Sequence, residues 1–155
     1  MPAYREILKA AYNESPEIRD HCNYLLYAVA KKLGIVLPSG FNADQLIDHM
    51  SRAWFTIPTL SDAEARSDHQ FVVAGLKSSQ HVPPRTHGHV AILIPRTSQA
   101  EHLREGISWP YAWSAGVQSQ GTLSIGSQIW SMHDVRRVRF FTPSRIERLR
   151  TVPSY

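Results

Sequence analysis

The sequence predicts an α+β fold in which N-terminal helices pack on a mainly antiparallel sheet. Through the first third of the chain apolar residues recur at helical spacing. From residue 71 onward they fall instead in short runs bounded by Gly, Pro and Ser. No strand–helix alternation is visible, and no Gly-rich phosphate loop of the Walker or dinucleotide type is present. With 155 residues, the chain fits one domain spanning 1–155.

The helical segments come first. Residues 4–13 suit a short helix that ends before Pro16. Asp20 is placed to cap the next one, because its side chain can accept from the free amides of a first turn. Behind it Cys22, Leu25, Leu26, Val29 and Leu33 share one face. Lys31 and Lys32 in the last turn, with Gly34 beyond, mark where that helix stops. Asn42 and Gln45 read as a capping box opening a helix through Leu46, Ile47 and Met50. Ser61 followed by Glu64 predicts a further short helix. The strand candidates are FVVAGL (71–76), HVAILI (89–94), AWSAGV (112–117), SQIW (127–130) and VRRVRFF (135–141).

A hydrophobic fraction of 43% with 19% charged residues describes a globular chain rather than a disordered one. The lone cysteine, Cys22, rules out an internal disulfide and a multi-cysteine zinc site. The start MPAYREILKA has no apolar core of a Sec-type signal, and no apolar run approaches the roughly 20 residues needed to span a bilayer. The expectation is a soluble protein made in the cytoplasm without a signal peptide or membrane insertion. The net charge of +4 is unevenly placed: from Val135 on, Arg136, Arg137, Arg139, Arg145, Arg148 and Arg150 face one acid, Glu147. Such an end favours polyanions, or is simply a solvated basic face. The aromatic residues do not interleave with these arginines, so nucleic acid is not an expected partner.

Two segments carry candidate chemistry. Cys22 falls in the first turn of its helix, where free amides and the helix dipole favour a thiolate. The same position suits a cysteine packed beside Leu25 and Leu26. In RTHGHVAILIP, His89 opens an apolar strand, and Gly88 before it permits close approach to the backbone. A base for the cysteine and a purely structural histidine are both compatible with that place. His87 and His89, two apart on a strand, would also share a side, and with His81 they offer a metal-binding alternative. His21 adjoins Cys22, but helical neighbours project about 100° apart, which argues against it as the base.

Taken in order, DHCNYLLYAVAKKLGIVLPSG, QFVVAGLKSS, THGHVAILIP, GVQSQGTLSIGSQIW and VRRVRFF resemble the peptidoglycan amidases delivered by bacterial type VI secretion. Those are small enzymes of papain-like NlpC-type fold. The resemblance implies a cysteine peptidase without cofactor or metal, cutting the stem peptide of Gram-negative peptidoglycan between D-glutamate and meso-diaminopimelate. It implies Cys22 as nucleophile, His89 as base and then acid, and Ser114, after the family tryptophan Trp113, as the orienting third residue. It further implies export by the type VI apparatus, action in a target cell's periplasm and a cognate immunity protein. Asn23 and Tyr24 depart from the small residue often found after the nucleophile. Two other functions fit the residues: a cysteine-dependent hydrolase or transferase acting on another amide, and a non-enzymatic polyanion-binding module.

Overall fold

The computed structural model describes residues 4–94, 102–104, 107–116 and 120–143. Six strands form an antiparallel sheet that combines pairs consecutive in the chain with longer crossovers. The strands are β1 (Phe55–Ile57), β2 (Val73–Leu76), β3 (His89–Leu93), β6 (Tyr111–Ser114), β7 (Gly121–Ser124) and β8 (Arg139–Thr142). Their spatial order is β1-β8-β2-β3-β6-β7. A separate hairpin pairs β4 (His102–Arg104) with β5 (Ile107–Trp109).

Side chains on successive strand residues point to opposite faces, and both faces of this sheet are covered. Val73, Val90, Ile92 and Phe141 join Leu25, Leu26, Val29, Leu46, Ile47 and Met50 in one core. Val72, Ala74, Ala91, Leu93 and Phe140 join Trp109, Ile125 and Trp130 in the other. That is why FVVAGL and HVAILI are continuous apolar runs instead of alternating ones.

The first core is built by helices, as the sequence predicts. They are α1 (Tyr4–Tyr12), α3 (Cys22–Lys32) and α4 (Ala43–Ala53). The Asn42–Gln45 capping box forms in full: Asn42 accepts from Gln45 N at 2.9 Å, and Gln45 accepts from Asn42 N at 3.0 Å. Gly34 follows α3 at φ 74°, a left-handed turn that favours glycine. A further helix, α5 (Leu60–Ser67), stands where Ser61 and Glu64 pointed, but Thr59 caps it by accepting from Asp62 N at 3.1 Å.

Three expectations are corrected. Asp20 does not cap the cysteine helix. Ser15 and Pro16 open an extra helix, α2 (Pro16–Asp20), whose last residue is Asp20, so the cap falls to His21. SQIW is not a strand. GTLS is, as β7, and Ile125–Ile129 winds as a π-helical turn in which the Trp109 ring lies over Gly126. A Cβ there would stand 2.1 Å from Trp109 Cγ. VRRVRFF is split: Ser131 caps α6 (Met132–Val135), and only Arg139 onward is strand. Val117, Gln118, Arg145, Glu147, Arg148 and Arg150 lie outside the described residues.

Candidate active site

The N-terminus of α3 and the start of β3 meet at a cleft of about 750 Å³. Cys22 is the first residue of α3, half-buried, and lines this cleft together with His89. Its position follows from the kink at His21 (φ −136°, ψ 115°), which ends α2 and begins α3.

His89 is the first residue of β3, and sheet register determines what it meets. Ser114 on β6 pairs with Ala91, two residues beyond His89. Diagonal neighbours of this kind share a face and lie within reach of long side chains. The His89 Nε2 to Ser114 Oγ distance is 2.9 Å, and Ser114 is fully buried. Trp130 packs its ring edge-on to the imidazole at 5.6 Å between centroids. Gly116 (φ 151°) passes beside the ring, where a Cβ would lie 3.6 Å from His89 Cε1. The structure thus places all three sequence-predicted site residues, Cys22, His89 and Ser114, around one end of the sheet.

Gly88 does permit a close approach, and the group that approaches is Asp44 of α4. A Cβ at Gly88 would stand 2.2 Å from Asp44 Oδ1. Asp44 accepts from Ser78 N at 2.8 Å and from the Ser78 hydroxyl, so it braces the segment leading to His89.

The ionisation expected for Cys22 is corrected. Burial pushes its thiol above the ordinary value; the backbone amides of Val90, Asn23 and Cys22 itself pull the other way, and the nearby negative charge of Asp44 adds to the rise. Desolvation outweighs the helix N-terminus. Burial likewise lowers His89 to about 4, with His81 and Arg85 adding positive charge nearby. Both shifts favour the uncharged forms, a thiol and a neutral imidazole.

The metal alternative loses its geometric basis. His87 is exposed and precedes β3, so the two-residue strand spacing with His89 does not apply. His81 is buried and donates Nδ1–H to Lys77 O at 3.0 Å. Among the described residues no group of three or more His, Cys, Asp or Glu is arranged to hold a metal ion.

No family model matches the chain. The chain is 30% identical over 132 residues to the peptidoglycan amidase Tse1 of Pseudomonas aeruginosa, a match covering 81% of this chain and 77% of that protein. The chain belongs to this peptidoglycan amidase family.

Sequence reasoning missed the Gln128 and Trp130 part of this family member's cleft wall. The segment from Lys77 to Gly88 brings His81, Arg85 and Thr86 to the cleft, and Gln128 and Trp130 come from the π-helical turn and the residue after it. The turn-forming VPPR run signals a loop, but only tertiary ties aim it. Val82 N donates to Asp134 Oδ1 at 2.8 Å, and Arg85 N donates to Ser78 O at 2.9 Å. Of the two departures after the cysteine, Asn23 turns to the neighbouring loop, donating to Phe41 O at 3.2 Å. Tyr24 stays exposed against the His21 ring. Gln120 ties to the end of α2, its Nε2 donating to Asp20 Oδ1 at 2.9 Å. Arg136, Arg137 and Arg139 are exposed as expected, with Arg137 donating to Gln80 O at 3.0 Å and Arg139 lying over the Phe141 ring.

Proposed function

We propose that this chain is a cysteine amidase that cleaves the peptide stem of Gram-negative peptidoglycan at the D-glutamyl–meso-diaminopimelate bond. The observation that carries this reading is a thiol at a helix N-terminus sharing one cleft with an imidazole held by a buried hydroxyl, in a member of a peptidoglycan amidase family.

The geometry suggests the following sequence. With its proton on Nε2, His89 donates to Ser114 Oγ, which leaves the Nδ1 lone pair to take the Cys22 proton as sulfur attacks the amide carbonyl. The developing oxyanion is stabilised by the Cys22 backbone amide, one of the free donors of the first turn of α3. The imidazolium then protonates the leaving diaminopimelate amine. Water, activated by the same imidazole, releases the glutamyl acyl group and restores the thiol.

Ser114 acts in this scheme by positioning the ring. Ser114→Ala removes one buried hydrogen bond and almost no volume, so kcat is expected to fall about 10-fold with KM nearly constant. Steady-state kinetics on a soluble stem peptide measure this. An unchanged kcat would remove Ser114 from the machinery.

The reading extends to an antibacterial effector exported by a type VI route, acting in the target periplasm and neutralised by a cognate immunity protein that occupies the cleft. It is tested by digesting purified Gram-negative sacculi and weighing the released muropeptides. The expected products carry a free amine on diaminopimelate and a free γ-carboxyl on D-glutamate. Intact stems, or termini at another bond, would overturn the assignment.

A further inference from the structure

Besides its histidines, the cleft lining holds one carboxyl side chain, Asp20, and one guanidinium, Arg85. Asp20 Oδ1 is engaged by Gln120. Arg85 has no partner for its guanidinium among the described residues, although its backbone is fixed to Ser78 O. The side chain is exposed. Its charge nevertheless reaches His89, where it adds to burial and to His81 in opposing protonation of the imidazole. A permanent cation beside a base that must become cationic hinders the proposed reaction unless something anionic arrives with the substrate.

The substrate class can supply that anion. If the scissile amide is formed by the γ-carboxyl of D-glutamate, the free α-carboxylate of that residue lies a short carbon chain from the reacting carbonyl. It is nearer than the distal carboxylate of diaminopimelate. A planar guanidinium matches a carboxylate with two parallel hydrogen bonds. We infer that Arg85 is a specificity residue that anchors the α-carboxylate of the D-glutamyl residue donating the scissile carbonyl. The inference rests on the amidase reading above. It adds a role for the loop: the carboxylate neutralises Arg85 as His89 takes its proton, so the correct substrate removes an obstacle that an uncharged analogue leaves in place.

The test compares two soluble stem peptides, one with the free D-glutamyl α-carboxylate and one with that group as a carboxamide. Wild type is expected to prefer the carboxylate by about 10- to 100-fold in kcat/KM, the worth of a charge-assisted pair. Arg85→Gln should bring the preference within about twofold of unity, with most of the loss on the carboxylate peptide. Arg85→Lys, which keeps charge without the fork, should retain part of it. An equal loss on both peptides, or a preference that survives in Arg85→Gln, overturns the anchor while leaving the amidase reading intact. Cleavage of neither peptide by wild type overturns both.

Discussion

Cys22→Ala is expected to abolish stem-peptide cleavage, and His89→Asn to slow it by about 10⁴-fold or more. The double variant should be no slower than Cys22→Ala alone. The reason is that in the proposed mechanism the two groups act as one unit. A thiol whose ionisation is opposed by burial cannot attack without a base, and an imidazole without the sulfur has nothing to activate. Independent contributions would multiply. The measurement is single-turnover cleavage of a soluble stem peptide by the two single variants and the double one, with each protein's urea midpoint recorded beside it. Retention of activity within tenfold in His89→Asn, at undiminished stability, would sink the assigned base. Losses that multiply would sink the shared mechanism.

In the proposed mechanism this pair operates differently from a preformed thiolate–imidazolium. The sequence places Cys22 at a helix N-terminus and so suggests a lowered thiol pKa. Packing reverses that, because α3 is set against β3 and the sulfur is desolvated. In the proposed scheme the Cys22 amide serves the developing oxyanion rather than ionising the resting thiol. Electrostatic stabilisation is then applied where charge develops, which is where it accelerates the chemical step.

How much of this was legible in the chain depended on whether a signal was local. The α3 face, the Asn42–Gln45 box and the two buried strands depend on nearest neighbours, and all are present. The Ser15-Pro16-Glu17 start of α2 was also local, being a cap followed by proline at the first helical position. Asp20, a strong cap residue, masked it. The π-helical turn was not legible; the Trp109 ring over its Gly126 comes from the separate β4–β5 hairpin. The same holds for His81 and Arg85, whose loop is aimed by Asp44 and Asp134 from two distant helices. Ser114 could be located only by resemblance; its pairing with Ala91 supplies the physical reason.

Acidification is expected to destabilise the protein through His89. Burial is the main cause of its low value, with His81 and Arg85 adding repulsion, and the folded pKa of about 4 compares with 6.5 for a free imidazole. Between those values the unfolded chain binds more protons than the folded one, so stability rises with pH across this window. The contribution is complete above 6.5, shrinks as pH falls and is gone once pH passes below the folded value. Its size is roughly 3 kcal/mol, a sizeable part of a typical domain's stability of about 5–15 kcal/mol. Urea unfolding of wild type and His89→Asn at pH 7 and pH 4 isolates it, because every other histidine is common to both. Wild type should lose about 3 kcal/mol more than the variant between the two conditions; equal losses would mean that the imidazole is not desolvated. Both this acid sensitivity and the proposed chemistry follow from one cause. An imidazolium formed in that pocket is strained by burial, and a strained acid gives its proton readily to the leaving amine.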